Sequence, residues 1–272
     1  MVAFPNCKIN IGLRVINKRA DGFHNIETVF FPIPFKDAIE IIEDPVSKKE
    51  ISYTQTGTEI PGTADDNLCI KTYYLLKKDF PQLSNVKMHL HKVIPMGAGL
   101  GGGSADASFM LKLICRKFDL GLSGDQLLDY ALKLGSDCPF FMINEPCYAT
   151  GRGEKLEAIS LDISSHKIVL VNPGIHINTG WAFSNCTIKK NEHHLKDLIQ
   201  MPVAKWQQNI HNDFEIPVFK AHAEIAAIKS TLITGGALFA SMSGTGSTVY
   251  GIFERKSDPL LKFPSHYFLK WV

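Results

Sequence analysis

Residues 95–108 read PMGAGLGGGSADAS, with five glycines in the seven positions from Gly97 to Gly103. The apolar positions between Ala107 and Ile114 recur at helical spacing, so this segment leads directly into a helix. Glycines permit turns with positive φ that point backbone N–H groups inward, and the start of a helix adds the positive end of its dipole. The segment therefore predicts a phosphate site, although a loop that needs only sharp turns has the same composition.

Two well-known nucleotide motifs compete for these glycines. The G-x-G-x-x-G pattern of dinucleotide-binding proteins fits Gly97–Gly102, but it needs a strand that ends in an acidic residue ~20 positions later, and the residues before Asp119 have a helical pattern. The P-loop pattern also fits, with Ser104 as its hydroxyl residue, but Gly103 stands where the lysine belongs. A phosphate bound here has to take its positive charge from another part of the fold.

The flanking sequence predicts an α+β fold. Val86–Val93 alternates between apolar and polar residues as a strand does, and Asn67 precedes a run with helical spacing. Gln126–Leu134 and Pro217–Leu232 each predict a helix, and the second half of the chain also contains predicted strands. A glycine-containing turn divides the chain loosely into domains 1–155 and 156–272.

Composition limits the class of protein. Of the 272 residues, 45% are hydrophobic and 21% are charged, which are the proportions of a globular protein. The formal net charge is +2 and the basic residues are scattered, whereas a nucleic-acid-binding surface requires a dense basic patch. The six cysteines form no Cys-x-x-Cys pair, and no apolar run reaches the ~18 residues that span a bilayer. We therefore expect a cytoplasmic protein that binds neither nucleic acid nor membranes.

Two glycine-containing segments resemble the GHMP kinases, the superfamily that includes galactokinase, homoserine kinase, mevalonate kinase and phosphomevalonate kinase. Residues 95–108 are similar to the second motif of these enzymes, and MSGTGST at 242–248 is similar to their third motif. The resemblance implies a two-domain GHMP-type fold, in which residues 1–155 hold the phosphates of ATP and the catalytic groups and residues 156–272 contribute to the substrate cleft. It also implies that ATP and Mg²⁺ are the cofactors.

The N-terminal region narrows the resemblance to one branch of this superfamily. RADGFH at 19–24 and GSDCPFF at 135–141 are similar to segments of the enzymes that phosphorylate the 2-hydroxyl of a cytidine-diphosphate-linked methylerythritol in non-mevalonate isoprenoid synthesis, as are KIN at 8–10 and TVF at 28–30. Phe23 stands where that branch usually has tyrosine. The implied partner is this small-molecule substrate, and we expect a monomer or a weak homodimer.

The resemblance assigns the chemistry to two charged side chains. Phosphoryl transfer needs positioning, neutralisation of charge and an acceptor for the alcohol proton. Asp137 is implied to be the catalytic base, and Lys8 to pair with it and stabilise the charge on the attacking oxygen. Asn10 shares a strand face with Lys8 and is implied to orient the substrate. Without the resemblance, Asp137 is read as a turn or cap residue and Lys8 as a charge at the end of a strand.

The implied ATP contacts include the whole glycine segment. They are Pro95, Met96, Gly97, Ala98, Gly99, Leu100, Gly101, Gly102, Gly103 and Ser104, together with Asn67 and Lys92 in the adenine pocket. Ser104 is also implied to ligate magnesium or the β-phosphate, although a serine at a helix start is equally suited to capping.

Aromatic side chains are implied to bind the cytosine of the substrate. Phe23, His24 and Phe183 match the positions that stack on the base and read it, and Thr179 lies in the same block as Phe183. Trp181 is an alternative stacking partner, and aromatic residues at this spacing also serve as ordinary core.

Three other functions stay open at this point. A GHMP kinase for another small alcohol, such as homoserine, shares the glycine motifs, and RADGFH at 19–24 argues against it. A phosphate-binding module without catalysis is disfavoured by the presence of both Lys8 and Asp137. A dinucleotide-binding protein comes last, because the second strand with its acidic end is missing.

Overall fold

The computed structural model describes residues 1–60, 62–63, 66–189 and 193–272. It contains two compact units, each assembled from segments that are separate in sequence. The first unit comprises Met1–Cys7, Pro34–Met96 and Gly101–Asn144, and the second comprises Lys8–Ile33, Gly97–Leu100 and Glu145–Val272. Both units mix strands and helices, as the sequence predicts. The domain division near residue 155 stays a prediction.

The elements follow one another along the chain in a mixed order. They are β1 (Val2–Ala3), β2 (Asn6–Lys18), β3 (His24–Lys36), β4 (Ala38–Glu43), β5 (Ile51–Gly57), α1 (Leu68–Asp79), β6 (Val86–Lys92), α2 (Gly102–Lys117), α3 (Gly124–Leu134), α4 (Cys138–Ile143), β7 (Cys147–Thr150), β8 (Lys155–Ala158), β9 (His166–Asn172), α5 (Thr179–Asn185), α6 (Leu195–Leu198), a 3-10 turn (Val203–Lys205), α7 (Trp206–Asn209), α8 (Glu215–Ala221), α9 (Ala223–Thr234), β10 (Phe239–Met242), β11 (Val249–Glu254) and β12 (Phe268–Trp271).

The first unit packs helices against one face of a four-stranded sheet. The strand order is β1-β4-β6-β5, with β4 antiparallel and β5 parallel to β6. Along β6, the side chains of Val86, Met88 and Leu90 are buried in one apolar cluster with residues of α1 and α2, whereas Lys87 and His91 are exposed. The period-two pattern therefore gives β6 one core face, and the end of this strand leads into the glycine segment.

The second unit contains two four-stranded sheets, of order β2-β3-β7-β8 and β10-β11-β9-β12. An apolar cluster joins the second sheet to α8 and α9, with Val169, Val218 and Ile225 among its members. Strand β2 is buried continuously from Asn6 to Val15. Polar side chains in that stretch therefore need hydrogen-bond partners within the protein.

Two helices differ from the sequence prediction. Helix α2 begins at Gly102, before Ser104, because Gly101 with φ of 69° is its N-cap residue. The pattern over 217–232 predicts one helix, but the structure has α8 and α9, which are interrupted at His222, where φ is −136° and ψ is 83°. Among the helices formed by the described residues, none combines the length and the apolar character needed to cross a lipid bilayer.

Candidate active site

The glycine segment is shaped by three residues with positive φ. Gly97, Gly99 and Gly101 have φ of 59°, 78° and 69°, a region that other residues rarely occupy. Gly99 also has no room for a side chain, since a Cβ atom there would lie 1.9 Å from the carbonyl oxygen of Ser243. The glycines are thus required both by the backbone conformation and by close approach of another backbone segment.

The ammonium group of Lys8 lies against this loop. Its Nζ atom donates hydrogen bonds to the carbonyl oxygen of Gly99 at 3.2 Å and to Oδ1 of Asn10 at 2.6 Å, and lies 5.0 Å from the centre of the Phe30 ring. The backbone N–H of Lys8 donates to the carbonyl of Leu100 at 3.0 Å. Lys8 is 3% exposed. A buried cation therefore stands at a glycine loop that has no lysine of its own.

Ser243 joins the third motif to the glycine loop, a role that the sequence analysis did not assign. Its hydroxyl donates to the carbonyl of Gly99 at 2.8 Å and accepts the backbone N–H of Asn10 at 3.1 Å. The N–H of Thr248 also donates to the carbonyl of Ala98 at 3.2 Å. The only signal in the sequence is the position of a serine inside a second glycine-containing motif.

In the first unit, the start of α2 contacts the loop that carries Asp137. The hydroxyl of Ser108 lies 2.8 Å from the carbonyl oxygen of Ser104 and 2.9 Å from that of Cys138. Asp137 precedes α4, but its carboxylate makes no capping hydrogen bond to that helix. Ser104 is the third residue of α2 and is not its cap. Neither side chain is therefore used as a helix N-cap.

The thiol of Cys138, beside Asp137, is not a candidate nucleophile. Burial raises the pKa of Cys138 to about 11, although hydrogen bonds with Ser104 and Ser108 lower it. A thiol with such a pKa carries almost no thiolate near neutral pH. Its contribution is to pack the start of α4 within the apolar cluster of the first unit.

Lys92 is enclosed by two carboxylates. Its Nζ atom donates to Oδ2 of Asp37 and, at 2.7 Å, to Oδ2 of Asp106, and Lys92 is 0% exposed. Oδ1 of Asp37 accepts the N–H groups of Val93 and Ile94 at 2.6 and 2.9 Å. The predicted contact of Lys92 with adenine stays a prediction, because in this structure the ammonium connects β6 to the first turns of α2.

Asn67 is the N-cap residue of α1. Its Oδ1 atom accepts the N–H of Cys69 at 2.8 Å, and its main chain has extended φ and ψ. The capped helix start that the sequence predicts is therefore present. The adenine contact of Asn67 stays a prediction.

Two of the aromatic residues that are predicted to bind cytosine stack on each other. The rings of His24 and Phe183 are 4.8 Å apart and nearly parallel, and Phe183 also makes a T-shaped contact with Phe214. Phe23 is 54% exposed, with the guanidinium of Arg152 at 4.9 Å from its ring centre. Trp181 is 37% exposed. One face of the Phe183 ring is therefore covered by His24.

The predicted site residues are thus brought together in groups within each unit. In the second unit Lys8 and Asn10 meet the glycine loop, and the hydroxyl of Thr179 lies 3.4 Å from that of Thr245 in the third motif. In the first unit the starts of α2 and α4 are in contact. Within the described residues, no group of three or more His, Cys, Asp or Glu side chains has the arrangement of a metal site.

Two family models match the parts of the chain that contain the glycine motifs. A family model described as "GHMP kinases N terminal domain" matches residues 67–145, which include the glycine loop and Asp137. A second model, "GHMP kinases C terminal", matches residues 195–260, which include the third motif. The two matches together cover slightly more than half of the chain. The two-domain GHMP-type α+β fold is therefore confirmed.

Individual relatives narrow the family. The chain is 48% identical over 254 residues to the 4-diphosphocytidyl-2-C-methyl-D-erythritol kinase of Bacteroides thetaiotaomicron, covering 93% of this chain and 92% of that protein. A crystal structure of 4-(cytidine 5'-diphospho)-2C-methyl-D-erythritol kinase matches with a TM-score of 0.78 and 27% identity, covering 93% and 90% of the two chains. Homoserine kinase from Cytophaga hutchinsonii shares the fold, with a TM-score of 0.66, 15% identity and coverage of 92% and 85%. This chain belongs to the GHMP kinases and, within them, to the 4-diphosphocytidyl-2-C-methyl-D-erythritol kinase family.

Proposed function

We propose that this protein transfers the γ-phosphoryl group of ATP to the 2-hydroxyl group of 4-diphosphocytidyl-2-C-methyl-D-erythritol. The observation that carries the proposal is the buried ammonium of Lys8, held by the carbonyl of Gly99 at a loop shaped for phosphate. The names of relatives that share 44–48% of their residues with this chain support the same acceptor. A likeness to homoserine kinase at 15% identity supports the fold alone.

The proposed mechanism needs one base and one cation. The carboxylate of Asp137 accepts the proton of the 2-hydroxyl group, and the resulting oxygen attacks the γ-phosphorus while the bond from that phosphorus to the β–γ bridging oxygen breaks. ADP leaves and the proton stays on Asp137 until it passes to water. The ammonium of Lys8 stabilises the negative charge on the attacking oxygen. Asn10, which bonds Lys8 at 2.6 Å, fixes the direction of that ammonium.

The glycine segment supplies the phosphate site of the proposal. Backbone N–H groups of residues 97–104 and the start of the 16-residue helix α2 favour an anion there. Mg²⁺ binds through phosphate oxygens, waters and one or two protein oxygens, so a hydroxyl in the first turn of α2, that of Ser104, fits a metal that arrives with the nucleotide. When bound, the metal neutralises charge on the β- and γ-phosphates.

The cytosine is proposed to bind at the exposed aromatic residues of the second unit. Phe23 offers a half-exposed ring, and His24 and Phe183 stack on each other. All three lie in segments that are similar to those of the family. Stacking on such rings tolerates any base, so the choice of cytosine depends on hydrogen bonds, which we assign to His24. The hydroxyl of Thr179 is proposed to contact the substrate beside the third motif.

The cellular and oligomeric expectations are part of the proposal. We place the enzyme in the cytoplasm because ATP and the cytidine substrate are small polar metabolites, and we propose that it is a monomer or a weak homodimer. Light scattering at two protein concentrations tests the oligomeric state. A stable oligomer at both concentrations would contradict it.

Comparison of acceptors tests the function. Purified protein is assayed for ADP formation from MgATP with the cytidine diphosphate substrate, homoserine or mevalonate, and product is identified by phosphorus NMR. We expect turnover with the first acceptor and none with the others. Turnover with homoserine alone would replace the proposed substrate. ATP binding without turnover of any acceptor would leave the phosphate-binding module as the function.

A further inference from the structure

Asn212 is a buried amide whose two N–H donors and whose oxygen all bond to backbone groups. It lies between α7 and α8 and is 2% exposed. Its Nδ2 atom donates to the carbonyl oxygens of Met242 and Gly244, both at 2.8 Å, and its Oδ1 atom accepts the N–H of Phe214 at 3.0 Å. The two carbonyls belong to the third motif, so one side chain fixes the backbone on both sides of Ser243.

The residue between those carbonyls controls the geometry of the glycine loop. The Ser243 hydroxyl donates to the carbonyl of Gly99, which is also the acceptor of the Lys8 ammonium. A Cβ atom at Gly244 would lie 3.3 Å from the Cα atom of Gly99, so the two backbones are already in contact. A shift of the third motif must therefore move the carbonyl that holds Lys8, or break its bond to Ser243.

Asn212 is itself tied to the strand that carries Lys8. It forms an isolated parallel bridge with Leu13 of β2, in which the N–H of Leu13 donates to His211 at 3.1 Å and the N–H of Asp213 donates to Leu13 at 2.8 Å. The carboxylate of Asp213 accepts the N–H of Val15 at 2.9 Å. The segment 211–213 is thus a spacer that sets the distance between β2 and the third motif.

We propose that Asn212 is a positioning residue for phosphoryl transfer, acting through Ser243 on the Gly99 carbonyl and the Lys8 ammonium. The inference rests on the proposed function, in which Lys8 stabilises the attacking oxygen. The position requires an amide because two carbonyl oxygens have to receive N–H donors from one short side chain. An ionised carboxylate has no donor and a serine has one.

A double-mutant cycle between Asn212 and Ser243 tests this inference. Asn212→Asp keeps the shape but removes both donors, and we expect kcat to fall ~10- to 100-fold, since a misplacement of about 1 Å can cost ~100-fold. The KM values for both substrates should change far less, because the interaction that is lost acts at the transition state. Ser243→Ala should lower kcat in the same way, and the double variant should be little worse than the poorer single variant.

Asn209→Asp is the matched control, because it makes the same change at a nearby asparagine whose Nδ2 atom donates to the carbonyl of Lys205 at 2.8 Å and not to the third motif. It should keep kcat near the wild-type value. Melting temperature and ADP affinity by calorimetry accompany every variant, so that a general loss of folding is recognised. If Asn212→Asp is unfolded, Asn212→Ser is measured in its place, with a smaller expected loss.

Three results would overturn the inference. They are a normal kcat in a folded Asn212 variant, multiplication of the two single effects in the double variant, and an equal loss in Asn209→Asp. The proposed function fails separately, when wild-type protein does not use the cytidine substrate. In that case the same cycle is run with whichever alcohol the wild-type protein phosphorylates.

Discussion

At the scale of single residues, the proposed reaction depends on one carboxylate and one ammonium. We expect Asp137→Asn to lower kcat ~10²- to 10⁴-fold, the usual contribution of general base catalysis, with little change in either KM. Lys8→Met keeps the stem in its buried position but removes the charge, and a comparable loss is expected. Because Lys8 and Asp137 are proposed to act in the same step of the reaction, the double variant should be little worse than the poorer single variant.

Steady-state kinetics with both substrates check this prediction, and Asp129→Asn on the exposed side of α3 serves as a control. Two outcomes would contradict the mechanism. A near-normal kcat in Asp137→Asn would mean that the alcohol proton leaves to water or to the γ-phosphate. Effects of the two substitutions that multiply would mean that Lys8 and Asp137 act independently.

A second prediction at this scale concerns the base pocket. Replacing Phe183 by alanine should weaken binding of the cytidine substrate by ~1–3 kcal/mol, the range for stacking of a base on an aromatic ring, and leave ATP affinity almost unchanged. Calorimetric titration with each ligand measures both. Trp181→Ala is the matched control, and a larger effect from that variant would make Trp181 the stacking residue. Equal weakening of both ligands would show that the ring is only core.

At the scale of elements, we expect substitutions at two glycines of the segment 97–103 to have different effects. Gly99→Ala places a methyl group against the Ser243 carbonyl and at positive φ, so the loop must move; the KM for ATP should rise and kcat should fall. Gly103 lies inside α2, and the nearest atom to an added methyl group is Cε of Met96 at 3.8 Å. Gly103→Ala keeps the backbone N–H that the proposal assigns to phosphate, so it should raise the KM for ATP far less than Gly99→Ala and stabilise the helix by about 0.5–1 kcal/mol.

Steady-state kinetics and thermal melting of Gly99→Ala and Gly103→Ala test this difference. Wild-type kinetics in Gly99→Ala would mean that the loop does not need its close contact with the third motif. A strong loss of activity in Gly103→Ala would mean that this position faces the nucleotide directly. Either outcome would change which glycines are assigned to phosphate binding.

The elements also show what the sequence could and could not predict. The density of glycines before a helical pattern is a local signal, so the sequence predicts a turn-rich loop here and the start of α2 to within two residues. The bond from Ser243 to Gly99 joins residues 144 positions apart and depends on how the strands pack, so no local pattern indicates it. The burial of Lys92 did have a signal, since it continues the inward series of Val86, Met88 and Leu90, and a lysine on a core face requires carboxylate partners.

At the scale of the whole molecule, that buried lysine and its two carboxylates link stability to pH. Burial, together with the nearby charge of Asp37, raises the pKa of Asp106 to about 7, against the lowering effect of Lys92. The ordinary value is 3.8. Between about pH 4 and pH 7 the folded protein therefore keeps a proton that the unfolded chain has released, and the free energy of unfolding decreases as pH rises through this range. Above about pH 7 the contribution is constant.

Asp106→Asn removes this titration while an amide oxygen can still accept the Lys92 hydrogen bond. We therefore expect the variant to gain stability relative to wild type between pH 5 and pH 8. The difference between their free energies of unfolding should increase by on the order of 1 kcal/mol or more, since each pKa unit corresponds to about 1.4 kcal/mol. Urea denaturation at the two pH values measures it. Asp162→Asn is the control, because a hydrogen bond from the backbone of Ser164 lowers the pKa of Asp162, so its contribution is lost only in acid and the variant should differ from wild type equally at both pH values. If Asp106→Asn also shows the same difference at both, then Asp106 is ionised throughout this range, and the buried lysine with its two carboxylates carries a constant negative charge.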